Sequence, residues 1–291
     1  MHYSLHLAIR YEFDRPSGAG RQLLRVAPAD IPLVQDVLSS SLTITPPPVE
    51  RRDLTDFYGT RVPEITMPAG LTEIAIDLRA EVLRHPAGNS FDISPHRAGL
   101  PAELAAHLRL GPASPHHFLA PSPRIPAVAG ITAFARDCTS RAITVRDTIR
   151  MLGQALHDTL GFDATATEVD TPVAEAFAGR KGVCQDFAQI MIAGLRALGI
   201  PACYAAGFLR TLPPAGQPRL QGADAMHAWV RAWAGGETGW LDYDPTNACF
   251  VDSDHITVGF GRDYGDVAPV TGMLRLDGKQ KGSHSVDIEA H

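Results

Sequence analysis

Strict alternation of apolar and polar residues opens the chain. In LHLAIRYEF (5–13), Leu5, Leu7, Ile9 and Tyr11 fall on one side of an extended strand and His6, Ala8 and Arg10 on the other. RQLLRVAPA (21–29), LSSSLTITPPP (38–48) and LTEIAIDLRAEVLRH (71–85) read as further strands. Pro and Gly punctuate these runs at turn-like intervals, as in TPPP, MPAG and HPAG. The pattern predicts an antiparallel, sandwich-like β domain over residues 1–87. A Pro-, His- and Ala-rich connector follows over 88–124, with a short helix at PAELAAHLRL (101–110).

The apolar period then lengthens to three and four. IPAVAGITAFARDC (125–138), TVRDTIRMLGQALHDTL (144–160) and CQDFAQIMIAGLRALG (184–199) read as helices, the last stopped by Gly199 and Pro201. In that third helix Phe187, Ile190, Met191, Gly194, Leu195 and Leu198 form a stripe that must face a core, with Cys184 one turn before it. Beyond Pro201 the period returns to two in ACYAAGFLR, AMHAWVRAW, GWLDYDP and HITVGFG. Helices that precede strands instead of alternating with them predict an α+β core over 125–277 and not a doubly wound parallel sheet. The last residues, 278–291, are polar and are expected to be a poorly ordered tail.

Composition narrows the function classes. With 45% hydrophobic and 20% charged residues, the 291-residue chain can bury a sizeable core. A formal net charge of -6 lacks the basic footprint that phosphate neutralisation requires, so nucleic acid is not an expected partner. Arg10 and Glu12 interrupt the stretch a signal peptide would keep apolar, and no run approaches the ~20 apolar residues of a membrane span. The expected setting is cytoplasmic, with no membrane partner. Cys138, Cys184, Cys203 and Cys249 lack CxxC spacing, which suggests reduced thiols and neither a zinc knuckle nor a disulfide framework.

One of these thiols sits where chemistry is easy. A cysteine at a helix N-terminus meets the positive end of the backbone dipole and unpaired N–H groups, which favour a thiolate. Gly182, two residues earlier, would allow a tight turn and close passage of a substrate backbone. Alone, Cys184 would read as a core cysteine, His227 on its strand as a half-buried core position, and Asp244-Pro245-Thr246-Asn247 as an ordinary turn. Together they supply a nucleophile, a base that can later protonate a leaving amine, and a carboxylate that can orient the base.

Three ordered segments carry a family resemblance. Gly182-Val183-Cys184-Gln185-Asp186-Phe187, His227-Ala228-Trp229 and Trp240 with Asp244-Pro245-Thr246-Asn247 resemble the core motifs of the bacterial transglutaminase-like superfamily. Thr171-Pro172 with Glu175 is similar to that family's lead-in, GRDYGDVAP (261–269) to its C-terminal strand motif, and the opening strands to its N-terminal β module. The resemblance implies a papain-like/transglutaminase-like core, with a nucleophile helix packed on an antiparallel sheet, and catalytic roles for Cys184, His227 and Asp244. Gly182, Gln185, Trp229, Asp242 and Tyr264 are then candidates for the oxyanion or substrate side.

The expected substrate is a peptide or protein amide, attacked to give an acyl-enzyme. Release by water makes a peptidase or amidase, the favoured reading; release by an amine makes a transglutaminase or ligase. A non-catalytic peptide-binding scaffold of the same fold is the rival of another class. No cofactor or metal is expected: His116-His117 and Asp252, Asp254 and His255 lack a linked second cluster at ligand spacing.

Overall fold

A computed structural model describes residues 1–86, 91–211 and 224–291; the expected domain boundary at 87/88 and the start of the connector lie outside them. Six strands come first: β1 (His2–Phe13), β2 (Gly20–Leu24), β3 (Gln35–Thr45), β4 (Glu50–Thr55), β5 (Arg61–Met67) and β6 (Glu73–Arg84). Helices α1 (Leu100–Ala106), α2 (Ala129–Cys138) and α3 (Val145–Thr159) follow, then β7 (Gly161–Phe162), α4 (Val173–Gly179), β8 (Lys181–Gly182) and α5 (Cys184–Ala197). The rest is β9 (Ala202–Leu209), β10 (Ala225–Trp233), β11 (Trp240–Asp244), β12 (Cys249–Phe250), β13 (His255–Gly261), α6 (Tyr264–Val267), β14 (Val270–Leu274) and β15 (Gln280–Ala290).

Two antiparallel sheets, β15-β1-β6-β3 and β14-β2-β5-β4, enclose the first core. Its residues come from alternating positions: Tyr3, Leu5, Leu7 and Ile9 on β1 and Ile74, Ile76, Leu78 and Val82 on β6 are buried while their neighbours face outward. Strands β4 and β5 escape the sequence reading because β4 is exposed throughout and β5 carries Pro63.

The C-terminal segment is the largest departure. Residues 278–291, expected as a disordered tail, form β15, antiparallel to β1 from Tyr3↔Ala290 to Phe13↔Gln280. An edge strand with one solvated face needs few apolar residues, and Val286 and Ile288, both 0% exposed, supply them. Strand β14, expected in the core, pairs with β2. Both ends of the chain thus build the N-terminal sheets.

The second core surrounds α5. This helix packs between α2, α3 and α4 on one side and the sheet β12-β11-β10-β9-β13 on the other. The expected apolar stripe is therefore too narrow a description: residues from Gln185 to Arg196 are buried all round. Gly194 makes this crossing possible, since a Cβ there would stand 3.0 Å from Leu152 and 3.2 Å from Ala135. The architecture is α+β, an N-terminal antiparallel β domain followed by a core whose central helix packs on an antiparallel sheet.

The two cores meet along β9 and β13. Phe208, Ile256 and Val258 belong to the N-terminal apolar cluster. Gln35, 0% exposed, continues the β13 ladder with its side chain: its Nε2 donates to Thr257 O at 2.9 Å, and Thr257 N donates to its Oε1 at 2.9 Å. The connector is strapped to the core by Arg196, which donates to Phe118 O, Ala202 O, Ser122 Oγ and Arg262 O. Among the described residues no helix is long and apolar enough to cross a membrane.

Candidate active site

Cys184 occupies the first position of α5 because the chain turns sharply into the helix at Val183. Asp186 fixes that turn: its Oδ2 accepts from Val183 N at 2.8 Å and from Thr167 Oγ1 at 2.6 Å. Gly182 is buried against this carboxylate, where a Cβ would lie 2.5 Å from Asp186 Oδ2. Its place is to make room for the capping residue, not to pass a substrate backbone. Among the described residues no acceptor faces the Cys184 N–H, one of the first-turn donors a helix leaves unpaired.

His227 lies near the start of β10 and Asp244 ends β11, two adjacent antiparallel strands. His227 Nε2 donates to Asp244 Oδ2 at 2.7 Å, and Cys184 lies close enough to the ring to help raise its pKa. With Nε2 committed to the carboxylate, Nδ1 is the nitrogen left for the thiol. The structure thus joins His227 to Asp244 by a hydrogen bond and sets His227 and Cys184 on the lining of one cavity.

Asp244 is 0% exposed and saturated with donors. Besides His227 it accepts from His255 Nε2 at 3.1 Å, Asn247 Nδ2 at 2.7 Å, Thr246 N at 2.9 Å and Asn247 N at 3.2 Å. Burial alone would raise its pKa, but the bonds from His227, His255 and Asn247 outweigh it and hold the carboxyl well below the usual range. For His227, burial alone would lower the pKa; hydrogen bonds to Asp244 and Cys184 reverse that and push it up to about 10.

A pH dependence follows. The folded pKa of His227, about 10, exceeds its ordinary 6.5, so its ion pair stabilises the fold fully below about pH 6.5 and is lost as pH rises through about 10. The melting temperature is expected to fall between those limits, and to fall less in His227→Gln. Thermal scans of both proteins across that range check this; equal slopes would refute it.

The other candidates scatter. Gln185 lines the cavity at Cys184, but its Nε2 donates to Val169 O at 2.9 Å. Tyr264 lines the same cavity with the Arg124 guanidinium 5.4 Å from its ring centroid. Trp229, expected beside the substrate, shares the His227 face of β10 but lies deeper: it is 0% exposed and packs edge-on against His255 at 5.3 Å. Asp242, a candidate for the substrate side, instead opposes Arg231 across β10–β11 with an Nε–Oδ1 separation of 3.3 Å. Burial raises its pKa, and the Arg231 charge works against that rise.

His255 is the residue the sequence reading missed. In the sequence it stands out only with Asp252 and Asp254, as a metal cluster, yet Asp254 accepts from Tyr3 and Arg210 while His255 turns inward to Asp244. Its position at the start of an apolar strand, HITVGFG, was the available signal. His227, Asp244 and His255 are, among the described residues, the one group whose potential metal-ligating atoms all lie within 4.8 Å of one another. Hydrogen bonding of both Nε2 atoms to the same Oδ2 accounts for that closeness. His116 and His117 are spent on the carbonyls of His107 and Leu110.

A cavity of about 180 Å³ opens beside Cys184 and His227, where the two cores meet. Val26 and Pro269 from the N-terminal side and Ala206, Phe208, Met226 and Val258 from the core sheet make it mostly apolar. A cavity of about 150 Å³ holds a benzene ring, so this one has room for a single large side chain or acyl group.

Comparison with known proteins agrees with this geometry. Residues 132–245 match the transglutaminase-like superfamily, and residues 3–83 match the bacterial transglutaminase-like N-terminal region. An uncharacterized protein of Mycobacterium tuberculosis is 34% identical over 262 residues, covering 83% of this chain and 78% of the relative. A protein-glutamine gamma-glutamyltransferase of Pseudomonas aeruginosa is 45% identical over 71 residues, 24% of this chain and 10% of that protein. The crystal structure of a Cytophaga hutchinsonii protein, provisionally named a cysteine protease, superposes with a TM-score of 0.76 at 21% identity, over 99% of this chain and 90% of that one.

Proposed function

The chain belongs to the transglutaminase-like superfamily, and we propose that it is a cysteine-nucleophile enzyme that attacks amide or peptide carbonyls and releases the acyl group to water. The observation that carries this reading is the hydrogen bond from His227 to buried Asp244 at 2.7 Å, with His227 and Cys184 lining the same cavity. His227 takes the thiol proton, the sulfur attacks the carbonyl, and the imidazolium returns the proton to the departing amine. A pKa pushed up to about 10 keeps His227 a cation until that transfer.

The second half-reaction needs the opposite state. Part of what raises the His227 pKa is Cys184 itself, through its hydrogen bond and its charge. Acylation removes both, which lowers the imidazolium pKa so that it can lose its proton while Asp244 still orients the ring. It can then take a proton from an attacking water.

Release to an amine shares every step up to the acyl-enzyme, and the local likeness to a glutamyltransferase favours it as the second reading. The partition is measurable with p-nitrophenyl acetate and increasing glycinamide. Hydrolysis predicts acetate as product at a rate indifferent to the amine. A rate that climbs with amine, with acetylglycinamide accumulating, would replace hydrolysis by transfer.

A further inference from the structure

Attack on the carbonyl carbon moves the C=O π pair onto oxygen, and that developing charge needs donors already in place. The unpaired Cys184 N–H at the start of α5 is one. The obvious side chains for a second are otherwise engaged. Gln185 Nε2 is committed to Val169 O, Trp229 is sealed inside the sheet packing, and Tyr264 stands under the Arg124 guanidinium.

Tyr204 on β9 is different. It is 2% exposed, yet its side chain lines the cavity together with Cys184 and His227. Among the described residues its hydroxyl has no hydrogen-bond partner. A hydroxyl without a protein partner beside Cys184 and His227 is free to donate to whatever enters the cavity. We propose that the Tyr204 hydroxyl is the second donor of the oxyanion hole, acting with the Cys184 backbone N–H on the carbonyl oxygen of the bound substrate.

Two further observations support the assignment. Burial first, and then the neighbouring Cys184 charge, raise the phenol pKa well above its ordinary 10.0, so it remains a donor throughout the working range. The Tyr204 ring also meets the Tyr264 ring edge-on, 6.2 Å between centroids, and both residues line the cavity. The balanced step is simple. The Sγ–C bond forms as the π pair moves to oxygen, where both donors hold it. The pair then returns as the C–N bond breaks, and the amine leaves with the proton His227 took from Cys184.

This proposal rests on the acyl-enzyme reading, and two reactions of the same sulfur test the two separately. Iodoacetamide alkylates Cys184 by displacement and creates no oxyanion; p-nitrophenyl acetate acylates it through a tetrahedral one. Tyr204→Phe is expected to slow acylation ~100-fold, the scale of removing one such donor, while alkylation of Cys184 and the melting temperature stay at wild-type values. Tyr264→Phe should change acylation far less. Unchanged acylation in Tyr204→Phe, a parallel fall in both reactions, or a larger loss in Tyr264→Phe would overturn the proposal. A wild type alkylated at Cys184 but never acylated there would overturn the acyl-enzyme reading itself, and this proposal with it.

Discussion

Cys184→Ala is expected to abolish acyl-enzyme formation and to lower turnover by on the order of 10⁴ to 10⁶, the range seen when a nucleophile is removed from a working triad. The fold should survive. Cys184 is half-buried at the first position of α5, and the apolar anchoring of that helix comes from Phe187, Ile190, Met191 and Leu195, each 0–1% exposed. Alanine also favours the helix. The substitution therefore separates chemistry from structure, by following p-nitrophenolate release and acetyl adduct mass against a thermal melt. The same change at Cys249 should leave turnover intact, since burial pushes that thiol up to about 11 and away from the reactive state. Turnover retained in Cys184→Ala would refute the nucleophile assignment.

Asp244→Asn should be nearly as damaging by a different route. The carboxylate accepts from His227 Nε2 and His255 Nε2 at the same oxygen, which a carboxamide oxygen could accept only by turning its NH₂ toward the neighbouring donors. Thr246 N and Asn247 N now donate to the other oxygen and would face that NH₂. Either orientation strands a buried N–H or forces His227 into the wrong tautomer. The expected loss is ~10⁴ in kcat, the scale for removing the charge behind a catalytic histidine. Unpairing this buried ion cluster should also cost about 3–5 kcal/mol of stability. Asp242→Asn weakens the Arg231 contact at 3.3 Å and leaves the hydrogen bonds to Asp244 in place, so its kcat should fall less than ~10-fold by comparison. Kinetics and denaturant titration of the two variants check the order, and a larger loss of kcat at Asp242 would move the orienting role there.

Much of the fold was legible where a single physical pattern dominated. The alternation in β1 and β6 survives because each strand has one buried face. Helix α5 announces itself by its apolar density and by its stop at Gly199, which adopts φ +78. Legibility failed where packing supplied what the residues did not. Strand β15 needs only Val286 and Ile288, too few to stand out in a polar tail, and α4 is a seven-residue helix with three buried residues. The segment GRDYGDVAP, expected as a strand motif, ends β13 and makes one helical turn instead, because Asp263 caps it at Gly265 N. At the site, residue types and order pointed to Cys184, His227 and Asp244, but side-chain direction was invisible. Trp229 turned inward, Gly182 made room for Asp186, and His255 joined Asp244 from the start of β13.

The central claim is that Cys184 is the activated thiol of this chain, and competitive labelling tests it most directly. Burial pushes the Cys138, Cys203 and Cys249 thiols up to about 11, 12 and 11, which leaves them protonated near neutrality. Limiting iodoacetamide at pH 7, followed by peptide mapping of all four cysteines, should place the label on Cys184 in wild type and much less of it there in His227→Gln. Equal slow labelling of all four, preference for Cys249, or indifference to His227→Gln would contradict the account.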